Sequence, residues 1–148
     1  MLKRLFLPLS LRATLAALAL AALVLMAAAC SSPSNRDVAD QAVTEFHHQL
    51  DGELYSSIIL NASDEMKSPS LDMENYLKRV HDLSGKTTDL KFLTSSSQVM
   101  GDQVALTMVY KASFEREGGM ETFVFRMKDG HPRLVSYDLK GPRELNRD

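Results

Sequence analysis

From Asp37 to Asp51 the apolar residues recur at helical spacing, with Ala39, Ala42, Val43, Phe46 and Leu50 on one face. Ser34 stands three residues ahead of Asp37, the spacing of a capping box, and Asp51-Gly52 closes the run. A second stretch repeats the period with Leu54, Tyr55, Ile58, Ile59, Ala62 and Met66, until Lys67-Ser68-Pro69-Ser70 breaks it. Ser70 is placed to cap a third helix. Its stripe is Met73, Tyr76, Leu77, Val80 and Leu83, and Ser84-Gly85 ends it because glycine tolerates the left-handed conformation.

From Thr87 the period drops to two. Leu90, Phe92 and Thr94 alternate with Asp89, Lys91 and Ser95. After Gly101-Asp102 comes what reads as the longest strand, Gln103 to Phe114, with Val104, Leu106, Met108, Tyr110, Ala112 and Phe114 on one face. Glu117-Gly118-Gly119 turns the chain into Met120 to Lys128, where Phe123, Phe125 and Met127 share a side. Asp129-Gly130 is a two-residue hairpin signal. Pro132 suits the start of a last strand, in which Val135, Tyr137 and Leu139 share a face. Helices first and strands afterwards predict an α+β fold: three helices on a curved four-stranded antiparallel meander, a cone-like half barrel. One domain, 37–141, accounts for the pattern, and 142–148 form a tail.

The first 30 residues follow neither period. Lys3, Arg4 and Arg12 precede an uncharged run from Ala13 to Met26, and Ala27-Ala28-Ala29-Cys30 follows. A basic start, an apolar core and small residues at the end are the parts of an export signal. The run is at the short limit for a spanning helix, so cleavage is predicted. Small residues directly before a cysteine resemble the lipobox of bacterial lipoproteins, although Ala27 stands where that family usually has Leu. The resemblance implies a signal peptide over 1–29 and cleavage between Ala29 and Cys30. It also implies a diacylglyceryl group on the Cys30 sulfur, since the thiolate is the nucleophile. A plain secretory signal would instead leave Cys30 as a free thiol. Ser31, in place of the Asp that retains such proteins in the inner membrane, implies the outer membrane, facing the periplasm. The tether 30–36 is polar and, beyond Cys30, spans about 20 Å when extended at ~3.3 Å per residue.

Composition changes the picture in two ways. Of 17 basic residues three lie in the leader, so the remainder carries 14 basic against 19 acidic residues, net -5. A mildly acidic domain argues against nucleic acid as a partner and against electrostatic docking on anionic lipid. A single Cys and no Trp exclude a disulfide framework and a thiolate zinc site.

The residues Asp51-Gly52, Tyr55, Ala62, Lys67, Tyr76-Leu77 and Gly85, followed by hairpins, resemble small envelope proteins of the nuclear-transport-factor-two-like, cystatin-like superfamily. That resemblance covers about residues 37 to 140. It implies a bent sheet wrapped around helices, and it includes both uncharacterised lipoproteins and enzymes with Asp, His or Tyr inside the cone.

Candidate chemistry is sparse. His47 and His48 are adjacent, so they diverge by about 100° on a helix and read as a solvated flank. His47 and Asp51 have i,i+4 spacing without a third ligand. His81 and His131 read as surface, as does Asp64-Glu65. Tyr55, Tyr110, Tyr137 and Asp138 are the residues an enzyme of the cone type would use, but Tyr137 and Asp138 are neighbours in a strand and face opposite sides. No paired acid and base, nucleophile elbow or phosphate loop is visible, and no metal or cofactor is predicted. Tyr55, Met108, Tyr110, Phe123, Phe125 and Met127 would wall a pocket for a small apolar ligand, or they would be core, which a chain this size needs. The reading is a lipid-anchored, non-catalytic binding or assembly module with an envelope protein or small apolar ligand as partner. The alternatives are a small-molecule enzyme and a purely structural envelope component.

Overall fold

The computed structural model describes residues 33–68 and 71–141. The expectations for the signal peptide, Ala29, Cys30, Ser31, the Ser70 cap and the tail lie outside those residues. Three helices, α1 (Asn35–Asp51), α2 (Tyr55–Asn61) and α3 (Met73–Ser84), precede four strands. These are β1 (Thr87–Met100), β2 (Gln103–Phe114), β3 (Gly118–Lys128) and β4 (His131–Lys140), in one antiparallel sheet of order β1-β2-β3-β4. The predicted α+β architecture is what the chain adopts.

The capping box forms as its spacing predicts: Ser34 Oγ accepts from the Asp37 amide, and the Asp37 carboxylate accepts from the Ser34 amide. It starts α1 at Asn35, so the last two residues of the expected tether are helical. Arg36 lies 4.2 Å above the Phe92 ring and fixes that first turn against β1. The α1 stripe buries Ala39, Val43, Phe46 and Leu50 against the sheet.

Helix α2 is shorter than its periodicity, ending at Asn61 rather than running to Met66. Tertiary bonds take over there: Arg133 Nη1 donates to the Asn61 carbonyl, and the Ser63 amide donates to Leu134 O at 2.9 Å. Ala62 and Met66 remain buried, in a turn laid along β4.

Strand β1, with 14 residues, is the longest, not β2. Its register breaks between Phe92 and Thr94, which puts Ser95 and Ser97 opposite the buried Met108 and Leu106 and moves Thr94 off the inner face. A second break, at Val124/Phe125, seats Leu134 and Tyr137 inward and leaves Val135 half-buried. Bulges of this kind bend strands around a layer of helices. The Asp129-Gly130 turn has positive φ at both residues, 52° and 76°, as a two-residue hairpin with matching twist requires.

The β2–β3 turn is Glu115–Glu117, where the Phe114 amide bonds Glu117 O, so both glycines belong to β3 instead. Gly119 is there because a Cβ would lie 2.5 Å from Lys140 O. Gly119→Ala should therefore cost about 1–3 kcal/mol, the usual range for overpacking, read as a lower urea midpoint. An unchanged midpoint would mean that β4 frays at Lys140 without cost.

Candidate functional site

Helix α1 brings His47 to the inner face, one turn after Val43 and three residues before Leu50. The histidine is buried, not a solvated flank, because that position belongs to the stripe facing β3. Its Nδ1 lies 2.8 Å from Thr87 Oγ1, and Asp51 Oδ1 takes the Thr87 amide at 2.9 Å. The i,i+4 pair His47 and Asp51 thus converges on a threonine. No metal-ligating cluster of three or more occurs among the described residues.

On the other side of the ring stands Glu121, 0% exposed, two residues before Phe123 and on the same strand face. His47 Nε2 and Glu121 Oε2 are 3.0 Å apart, in contact but out of line for a hydrogen bond. The other carboxylate oxygen accepts from the Tyr137 hydroxyl at 2.7 Å. Asp51, Thr87, His47, Glu121 and Tyr137 therefore form one chain of polar groups through the core. The rings of Phe46, Phe114 and Phe123 flank it.

An acid beside a base is the arrangement proton transfer needs, and none was legible in the sequence. Here it is sealed. The clefts of about 620, 110 and 440 Å³ among the described residues are lined by other side chains.

The expected pocket walls are mostly core. Met108, Tyr110, Phe123 and Phe125 are buried in the central cluster, with Met127 buried near it at the end of β3. Tyr110 reaches out from that cluster to donate to Asp40 on α1. Tyr55 is separate: it packs against the cluster from α2, and its hydroxyl lies 3.2 Å from His81 Nδ1. His81 is accordingly half-buried and partnered, not surface. His48 and His131 are exposed as predicted, and Asp138 is exposed on the face opposite the buried Tyr137. Asp64 and Glu65 are exposed too, each beside a cation, Lys67 and Arg126.

Burial raises the Tyr137 hydroxyl well above 10, helped by the charge of Glu121, and burial with the Asp40 hydrogen bond raises Tyr110. A raised tyrosine contributes stability that is complete below pH 10 and is lost as pH rises towards the folded value. Native protein should therefore show no phenolate absorbance from these two residues at pH 10, and both should ionise together with alkaline unfolding. Burial also raises Tyr55, so Tyr137→Phe should remove one of three delayed ionisations; four simple titrations at the ordinary value would refute the burial.

Comparison with family models, with curated proteins and with solved structures gives no match to this chain. Its chemistry has to be read from its own residues.

Proposed function

We propose that this chain is a lipid-anchored protein of the bacterial envelope, exported and acylated at Cys30, whose domain faces the periplasm and acts by binding, without a reaction of its own. The observation that carries the reading is the filled interior: the side chains able to wall a ligand cavity pack on one another, and the acid–base pair has no opening to solvent. A partner then has to meet the outside. Among the described residues no helix is long and apolar enough to cross a membrane.

A partner strand would add to one of the two sheet edges. The β4 edge is guarded by the Ser63 amide on Leu134, the Tyr76 hydroxyl taking the Leu139 amide, and Pro132, which has no N–H. The β1 edge is tied only at its start, where Asp51 holds Thr87. From Thr94 to Val99 it has no charge, no proline and no covering element among the described residues. An envelope protein adding an extended segment there would gain main-chain hydrogen bonds.

Native mass spectrometry of the full chain, extracted from an envelope in mild detergent, tests the reading. The mature mass plus acyl chains, alone or with a bound protein, is expected. A stoichiometric small molecule in the domain would overturn it and favour the enzyme alternative, to which the His47–Glu121–Tyr137 trio would then belong. Cys30→Ser should abolish the acyl mass and membrane fractionation.

A further inference from the structure

In the meander, the β1–β2 turn at Gly101-Asp102 and the β3–β4 turn at Asp129-Gly130 lie at the same end of the sheet. The described chain begins at that end as well. Ser34 and Arg36 share a hollow with Ser97, Val99 and Val104, the strand ends that flank the first turn. Cys30 is three residues before Pro33, about 10 Å of extended chain at ~3.3 Å per residue. An acyl group on Cys30 would therefore hold this end of the domain within about 10 Å of the leaflet, at ~3.3 Å per residue.

Beside the second tip lies a polar cleft of about 620 Å³. Its wall carries Lys67, Arg126, Lys128 and Arg133, with His131, against three carboxylates. Two of those carboxylates are already engaged, Glu65 by Arg126 and Asp64 by Lys67. On an acidic domain this is a cationic spot.

The sheet pays locally for it. Arg126 stands directly opposite Arg133, and Lys128 directly opposite His131, in consecutive positions on one face. Two arginines directly opposite destabilise a strand pair, and nothing in the fold requires them there. Arg133 donates only to the neutral carbonyl of Asn61, and Lys128 has no ion-pair partner among the described residues. Ser63, 8% exposed, lines the same cleft; it stands close enough to Glu65 to help keep it ionised, yet its hydroxyl makes no aligned hydrogen bond. Two apolar side chains stand out at this end, Leu60 at 74% exposure on the cleft rim and Val99 at 77% beside the first turn.

We propose that the hairpin-tip end rests on the membrane that holds the chain, with the cleft taking the phosphate of an anionic lipid headgroup among Lys128, Arg133 and Ser63. Leu60 and Val99 then meet the headgroup–acyl boundary, where exposed apolar side chains are favourable. The opposite end, with the tied start of β1 and the Glu115–Glu117 turn, points into the periplasm. The proposal rests on the lipid anchor for its geometry, while the cleft chemistry stands on the side chains alone.

The test is lysine labelling of the full chain with a water-soluble acylating reagent, read by peptide mass spectrometry after the intact mass has shown whether Cys30 is acylated. The chain is placed in neutral detergent micelles, in phosphatidylcholine vesicles and in phosphatidylcholine vesicles containing phosphatidylglycerol. Lys67 and Lys128 should label several-fold more slowly on the phosphatidylglycerol vesicles than in micelles. Lys86, Lys111 and Lys140, at the far end, should label equally in all three. Arg133→Gln should reduce the protection of Lys128 while the acylated chain still floats with the vesicles. Equal labelling of Lys67 and Lys128 across the three preparations, on an acylated chain, overturns the proposal. Equivalent protection by inorganic phosphate without vesicles also overturns it, by making the cleft a site for free anions. Protection on phosphatidylglycerol vesicles by a chain without acyl mass would support the cleft and refute the anchor.

Discussion

Replacing His47 with leucine should cost about 3–5 kcal/mol, the loss expected when one partner of a buried acid–base pair is removed. Glu121 has no solvent contact, and two groups face its carboxylate: the Tyr137 hydroxyl at 2.7 Å and His47 Nε2 at 3.0 Å. Without the imidazole, one carboxylate oxygen is left without the polar group that faces it, and the Thr87 hydroxyl keeps only Asp51 Oδ1, at 3.1 Å. Glu121→Leu should cost less, about 1–3 kcal/mol. The histidine keeps Thr87, and what is stranded is the neutral Tyr137 hydroxyl. The double variant His47→Leu/Glu121→Leu should then be more stable than the sum of the two losses, because the second change removes the orphaned carboxyl group left by the first. Urea unfolding of all four proteins measures this. Additive losses would show that the 3.0 Å approach carries no coupling, and that each residue is held by its other partner alone.

The elements were legible because each has its own period and its own stop. The α1 stripe, the even-numbered face of β2 and Asp129-Gly130 all lie where local chemistry puts them. Side-chain direction was less legible wherever pairing decided it. A bulge reverses strand parity without a local signature, so strict alternation puts Thr94 and Val135 on the wrong side, and the end of α2 is set by Arg133 and Leu134, some 70 residues away. The polar core was hidden for a different reason. His47 completes the stripe Val43–Leu50, and Glu121 shares parity with Phe123, so position placed both inside, but a charged residue type argues for solvent. Position wins here because the two bury together: each supplies what the other lacks. The pairing of Tyr110 with Asp40 had no signal at all, since their approach is a product of helix packing across the sheet.

Phe123→Ala is the change that separates a core from a pocket, and it should cost about 3–5 kcal/mol. Phe123 is 0% exposed, and its ring centroid lies 5.1 Å from those of Phe46 and Tyr137, 5.9 Å from Tyr110 and 6.1 Å from Phe125. Five aromatic rings from α1 and three strands therefore meet at one residue, and truncation leaves a void that none of them can fill without leaving the others. A loss of that size is a large share of the 5–15 kcal/mol that a small domain holds in total, so the variant should melt well below the wild type. A wall residue of an open ligand cavity behaves otherwise: water already occupies the space beside it, and truncation costs little stability while weakening the ligand. Leu60→Ser supplies the contrast. Its side chain is exposed on the cleft rim, so its unfolding midpoint should stay within about 0.5 kcal/mol of wild type, the usual range for surface substitutions. Were Phe123→Ala to unfold at the same urea concentration as Leu60→Ser, the aromatic cluster would have to be an accessible cavity, and the case for a domain that acts only through its outer surface would fall with it.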